Sequence, residues 1–272
     1  DGGGGEDDGE DGDGVVELKA HAAYGVDFSA EQRHLLSAGS EGGIRLWDLK
    51  PKGGQAMASY RAHCSPVWDV CFSPAGSDLF LSASHDHTCR LWCTDRSQPL
   101  RMLVGHFSDV TCCKFHGNGN YAATGSSDKT ARLWDLNSGK CVRVFHGHFG
   151  AVSALSVCPS GRYLATASED ATVRVWDVAS GKQAAVLGGH EGPINDVDYS
   201  VDGSVLATGG ADCTVRTWDV AGAFEAATAK AEASCSTPLA PRHSFRTKNT
   251  PVTHVRWTRR NLLLAGGGFE LS

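Results

Sequence analysis

The chain has 272 residues, 41% of them apolar and 21% charged, with 33 Gly and 9 Pro. That composition can bury a large core and excludes wholesale disorder. No stretch reaches the ~20 apolar residues a membrane helix needs, and no apolar signal region follows a basic start, so no spanning segment is expected.

The formal charge of −6 is unevenly spread. Residues 1–14 are seven Gly and seven Asp or Glu, leaving 24 acids against 25 Lys and Arg in the rest. This segment cannot bury apolar surface and is expected to be a disordered acidic tail, serving as a linker or as a docking segment for a basic partner. The remaining body is near neutral and lacks the basic face of a nucleic-acid binder. The chain opens at Asp1 and reads as a fragment of something longer. Its ten cysteines form no C-x-x-C pair, and Cys71, Cys112, Cys113 and Cys158 fall in apolar strand patterns. Free thiols in a reducing compartment are the expectation.

From residue 15 onward the chain keeps a beat. Trp47, Trp92, Trp134, Trp176 and Trp218 follow one another at 45, 42, 42 and 42 residues, and His21, His63, His106, His148 and His190 at 42, 43, 42 and 42. After each His comes an apolar run: PVWDVCF at 66–72, DVTCCKF at 109–115, AVSALSV at 151–157 and PINDVDY at 193–199. A Gly-bearing turn follows, then a small-residue strand holding Ser37, Ser82, Thr124, Thr166 or Thr208. A tight turn carries Glu41, Asp86, Asp128, Asp170 or Asp212, and the unit closes on RLWD, RLWC, RLWD, RVWD or RTWD. Short runs bounded by turn residues predict strands, three per period plus a linking fourth. A four-stranded sheet cannot hide both faces alone, but sheets stacked radially can.

After Trp218 the rhythm breaks. Residues 221–242 form an Ala-rich insertion, expected to be a loop that begins as a short helix. HSFRT, TPVTHVRW and NLLLAGGG then read as a linking strand and the first two strands of a further unit. Lys248 stands where the His would be, and no Trp-Asp strand follows.

These units resemble WD repeats, the blades of a β-propeller, with a GH…WD signature at a period of roughly 40–45 residues. The fold class expected is therefore all-β. The repeats run over about 15–50, 59–95, 100–137, 142–179 and 184–220, with a partial one at 243–268. Because the family usually has seven blades, the resemblance also implies an incomplete ring. It implies a hydrogen-bonded tetrad within each blade: Trp92–Ser82–His63–Asp86, Trp134–Thr124–His106–Asp128, Trp176–Thr166–His148–Asp170 and Trp218–Thr208–His190–Asp212. In the first unit Glu41 replaces Asp and His21 is two residues too close, so that tetrad is in doubt. A Ser-His-Asp nucleophile needs one site, not repeated copies between strands, so these sets read as structural. No catalytic, metal or cofactor site is expected. Five Arg, at 45, 90, 132, 174 and 216, precede the Trp by two positions and read as solvated or locally paired side chains rather than a phosphate-binding ring. His85-Asp86-His87 lacks a third spaced metal ligand.

A narrower resemblance lies in 98–148 (QPLRMLVGHFSDVT…VRVFHGH), in 247–268 (TKNTPVTHVRWTRRNLLLAGGG) and in the AFE at 223–225. These stretches are similar to the WD-repeat subunit of the general transcription factor TFIID, which is shared with SAGA-type coactivators in many organisms. The resemblance implies a nuclear, non-catalytic scaffold that docks histone-fold subunits and supports assembly of the polymerase II pre-initiation complex. Alternatives are a WD adaptor of a ubiquitin ligase, of a signalling assembly or of chromatin. Neither sequence-specific nucleic acid, membrane nor small-molecule substrate is expected as a partner. Protein contacts are expected on the face where the His-bearing connections enter, with Trp68, Asp69, Phe107, Asp109, Phe149 and Asn195 as candidates; for Trp68 the alternative is packing between blades.

Overall fold

The computed structural model describes residues 22–49, 56–76, 78–221 and 238–268. The expected acidic tail, His21 of the first tetrad and most of the insertion lie outside them.

The described chain is all-β. Its first sheet is made of β1 (Ala23–Phe28), β2 (His34–Gly39), β3 (Gly43–Asp48) and β4 (Ala56–Arg61). The second holds β5 (Val67–Phe72), β6 (Leu79–Ser84), β7 (Thr88–Cys93) and β8 (Arg101–Val104). The third holds β9 (Val110–Phe115), β10 (Tyr121–Ser126), β11 (Thr130–Asp135) and β12 (Cys141–His146). The fourth holds β13 (Val152–Val157), β14 (Tyr163–Ser168), β15 (Thr172–Asp177) and β16 (Gln183–Gly188). The fifth holds β17 (Ile194–Tyr199), β18 (Val205–Gly210), β19 (Thr214–Asp219) and β20 (His243–Arg246). A two-stranded sheet, β21 (His254–Trp257) with β22 (Leu263–Gly266), ends the description. Each strand pairs antiparallel with its sequence neighbour, so every four-stranded sheet is a simple meander. Near the end of the insertion, Leu239 runs parallel beside Leu187, so that part of the segment lies along β16.

The sheets are blades, each packed on the next through its first strand. The second strands of the inner blades are buried over all or nearly all of their length because a sheet covers both their faces. The later positions of these strands hold only small side chains, Ala122–Ser126 in β10 and Ala165–Ser168 in β14. A Cβ on Gly125 of β10 would come within 2.6 Å of both Cys112 and Val152.

The repeated Trp adds a second contact, reaching into the core of the preceding blade. Trp92 packs with Leu36, Ile44, Leu46 and Tyr60 of the first sheet. Trp134 packs with Leu81, Leu91 and Leu103 of the second, Trp176 with Leu133 and Phe145 of the third, and Trp218 with Val175 and Leu187 of the fourth. These four indoles are 0–3% exposed. Trp47 is only half-buried, since the face it occupies is bordered instead by an open groove of about 820 Å³ lined by Leu35, Ser37, Trp47 and Leu49.

The last sheet reaches back to the first. Arg256 of β21 lies 3.3 Å from Asp27 of β1, and an Arg259 Nη2 donor meets the Ala30 carbonyl at 2.7 Å. The blades therefore follow an arc whose two ends are bridged by side chains.

The innermost strands leave one edge unpaired, and acids from the neighbouring blade cap it. Asp27 accepts the Phe72 N–H at 2.8 Å, Asp69 that of Cys113 at 3.0 Å, Asp196 that of Val255 at 2.9 Å and Asp198 that of Trp257 at 2.8 Å. These bonds satisfy backbone donors that a buried edge would otherwise strand.

Candidate functional site

Four polar tetrads have the same geometry. Trp92 Nε1 donates to Ser82 Oγ at 2.8 Å, Trp134 to Thr124 at 2.8 Å, Trp176 to Thr166 at 2.9 Å and Trp218 to Thr208 at 3.1 Å. The hydroxyls lie 2.7–2.8 Å from Nε2 of His63, His106, His148 and His190. The Nδ1 atoms lie 2.6, 2.8, 2.9 and 2.9 Å from Asp86, Asp128, Asp170 and Asp212.

The donors and acceptors balance with one protonation pattern. The indole N–H donates to the hydroxyl, the hydroxyl to neutral imidazole Nε2, and Nδ1–H to an ionised carboxylate. Burial holds His63 and His190 below the usual imidazole value, against the pull of their aspartates. Burial would raise the carboxyls, but bonds from the imidazole and the following Thr outweigh it and hold Asp86, Asp128, Asp170 and Asp212 low. The hydroxyls, 0% exposed, are walled in by strands, with no room for a substrate. In the first sheet the Trp47 indole still donates to Ser37 at 2.8 Å.

Each Asp also shapes its turn. Its Oδ1 accepts the N–H of the Thr two residues on, at 3.0–3.1 Å for Thr88, Thr130, Thr172 and Thr214. The residue between, His87, Lys129, Ala171 or Cys213, takes a left-handed conformation with φ of 59–68°. The sequence reading missed this Asp-x-Thr device, although D-x-T recurs in four repeats.

The six candidate residues expected on the face where the His-bearing connections enter are found in different states. Phe107 and Phe149 are 85% and 80% exposed. Their N–H groups donate to the tetrad carboxylates of Asp128 and Asp170 at 3.1 and 2.9 Å, so the tetrads fix the backbone that carries these rings. Asp109 is bound by His85 at 2.7 Å, with His87 at 3.6 Å on its other oxygen. Trp68 packs 4.9 Å from Tyr24 and edge-on to His85. Asp69 caps Cys113 and lies 3.8 Å from Lys114; burial raises its carboxyl despite that ammonium. Asn195 spends its amide on the Val252 carbonyl at 2.8 Å.

Trp68 and Asn195 share a cause. In five blades the pairing of first and second strands skips a residue at the same place: Tyr24, Trp68, Thr111, Ser153 or Asn195. Such a bulge re-aims its side chain. Thr111 reaches the Val152 carbonyl and Ser153 the Ile194 carbonyl, as Asn195 reaches Val252, so three of these residues tie one blade to the next.

Among the described residues no cluster of three or more His, Cys, Asp or Glu could hold a metal, and the nine described cysteines are unpaired. Electrostatically the inner strands form a mixed group. Lys114 and Arg256 each interact with Asp27, and Arg256 also with Asp196 and Asp198.

Comparison with known proteins gives a consistent picture. The WD domain, G-beta repeat model matches residues 12–48, 54–93, 97–135, 139–177 and 181–219. The chain is 36% identical over 103 residues to transcription initiation factor TFIID subunit 5 of Caenorhabditis elegans, a stretch covering 38% of this chain and 15% of that protein. It is 33% identical over 97 residues to the E3 ubiquitin-protein ligase COP1 of Arabidopsis thaliana, covering 35% and 14%. It is 35% identical over 103 residues to a guanine nucleotide-binding protein subunit beta of Solanum tuberosum, covering 35% and 26%. The matched stretches thus span about a quarter or less of these relatives. With five concordant repeats covering most of its length, the chain belongs to the WD domain, G-beta repeat family.

Proposed function

We propose that this chain is the propeller of a non-catalytic nuclear scaffold, a TFIID-type subunit that docks histone-fold partners during assembly of the transcription pre-initiation complex, in TFIID and in SAGA-type coactivators. The observation that carries the docking reading is the pair Phe107 and Phe149. Two large rings stand in solvent on backbone pinned by buried tetrads, a rigid presentation that suits an interface anchor. The transcription reading is supported by the likeness to TFIID subunit 5. The similarity to COP1 and to the G-protein β subunit supports the alternative of an adaptor in another assembly.

Affinity purification of the full-length protein from its own cells, with quantitative mass spectrometry, tests both parts. Histone-fold transcription subunits should co-purify with the wild type and fall about tenfold or more in F107A/F149A, the loss expected when anchor side chains are truncated. Ubiquitin-ligase or signalling partners in their place would overturn the transcription assignment. Full retention by the double variant would overturn the docking face. Trp68→Ala serves as comparison: its ring lies between blades, so partner loss there should come with a lower melting temperature.

A further inference from the structure

The Arg two residues before the blade Trp is placed in two different ways. In the second sheet Arg90 Nη2 lies 3.2 Å from Asp86, and its Nε donates to Thr88 at 3.4 Å. In the fifth, Arg216 Nη2 lies 3.5 Å from Asp212, and its Nε donates to Thr214 at 3.2 Å. There the residue after the tetrad His is Cys64 or Glu191. In the third and fourth sheets that residue is Phe, and the Arg has left the Asp–Thr pair. The Arg132 guanidinium lies over Phe107 at 5.6 Å from the ring centroid, and that of Arg174 over Phe149 at 5.8 Å. Their Nε atoms are buried without a hydrogen-bond partner, and among the described residues neither is ion-paired with a carboxylate. Arg174 also meets the Gln183 side-chain oxygen, and Arg132 lies beside Cys141.

The Gly before the tetrad His leaves room for the guanidinium in these blades, as Gly189 does for Arg216 in the fifth, so it accommodates the Arg without choosing its placement. A Cβ on Gly105 would come within 2.8 Å of Arg132 Nη1, and one on Gly147 within 2.6 Å of Arg174 Nη1. Locally the exchange is unfavourable. A cation over an exposed ring contributes less than a charge-assisted bond to carboxylate, and a buried Nε–H is left unmade. The result is two neighbouring copies of one unit: an exposed ring with a cation above it that lacks a counter-charge. Lys129, exposed on the third sheet's turn, adds positive charge, while Glu169 is the exposed acid on the fourth sheet's turn.

Building on the docking face proposed above, we infer that Phe107–Arg132 and Phe149–Arg174 are paired receptors for an acidic protein segment, with an apolar side chain seated on each ring and an Asp or Glu completing each guanidinium. Charge complementarity selects this occupant: on the third and fourth sheets Arg132, Arg174 and Lys129 stand against one exposed turn acid, Glu169, while the fifth carries Glu191 at the position of the Phe. Single-stranded nucleic acid can also use rings and Arg, but the near-neutral body lacks the basic footprint it needs.

The test is fluorescence anisotropy on the whole chain with three labelled probes: a short amphipathic Glu/Leu/Phe peptide, the same peptide with Lys for Glu, and a short oligo-dT. The acidic peptide should bind about tenfold tighter than its Lys counterpart, a preference that weakens with salt. R132Q/R174Q should erase that preference, R132K/R174K should restore part of it, and F107A/F149A should weaken both peptides. Melting temperatures of all variants are measured alongside. Equal binding of the two peptides to the wild type, which needs no variant, would overturn the inference. So would tighter binding of oligo-dT. A preference that emerges only once residues 1–14 are deleted would also overturn it, because the site would then belong to the chain's own acidic segment. Absent acid preference, with complex assembly still lost in F107A/F149A, would defeat this inference while sparing the docking face.

Discussion

Trp134→Ala should lower the stability of this protein by about 3–5 kcal/mol, the usual result for removing a large buried aromatic. Trp47→Ala should cost clearly less, although both residues occupy the same place in the repeat. Trp134 is 1% exposed and packs on Leu81, Leu91 and Leu103 of the preceding blade. Its loss would leave a cavity between two blades and take the indole donor from Thr124. Trp47 makes the same kind of bond, to Ser37, but its outer face borders the open groove. Truncation there removes less buried area and creates little new void. Urea midpoints of the two variants, measured side by side, decide the matter. Equal losses would mean that the Trp is held by its hydrogen bond rather than by the neighbouring blade.

Asp128→Ala should cost about 1–3 kcal/mol, through partners left unsatisfied rather than through lost volume. Its carboxylate accepts from His106 Nδ1 at 2.8 Å, from the Phe107 N–H at 3.1 Å, and from the Thr130 N–H and hydroxyl at 3.0 and 2.6 Å. The same bonds give a pH dependence whose sign is fixed. Burial opposes ionisation, yet the bonds hold Asp86, Asp128, Asp170 and Asp212 below the ordinary carboxylate value. Their contribution is complete above that value, about 3.9, and is lost as pH falls beneath it. His63 and His190, pressed down by burial, stabilise the fold above about 6.5, and that contribution fades below it. Melting temperature should therefore decline gently below about pH 6.5 and steeply below about pH 4. A flat profile from neutral pH down to pH 3 would show that the tetrads are not in the assigned protonation state.

The architecture was legible because it is periodic. Five Trp and five His at one spacing, with Ser or Thr and Asp at fixed offsets between them, leave little freedom in where strands begin and end. What lay beyond the sequence was the relation between blades. Asp27 looks like an ordinary polar residue in an alternating strand and Asp69 like one that meets a partner, yet each caps an N–H lying 44 or 45 residues on in the chain. Nothing local marks them, since the contact exists only once neighbouring sheets are in place. Asn195 reads as lying beside the His-bearing connections, and for Trp68 the sequence leaves the rim and the space between blades both open; a bulge at that position turns both toward the adjoining blade. The five Arg look equivalent in sequence. Among Arg90, Arg132, Arg174 and Arg216 the divergence tracks one residue 25 or 26 positions earlier, the Cys, Glu or Phe after the tetrad His.

Hydrogen exchange of the indole N–H groups, followed by NMR, tests the repeated blade most directly. Signals from Trp92, Trp134, Trp176 and Trp218 should be strongly protected and should exchange together, through global unfolding, while the Trp47 signal exchanges faster. Rapid or unequal exchange among those four would contradict a set of equivalent buried tetrads joining stacked blades.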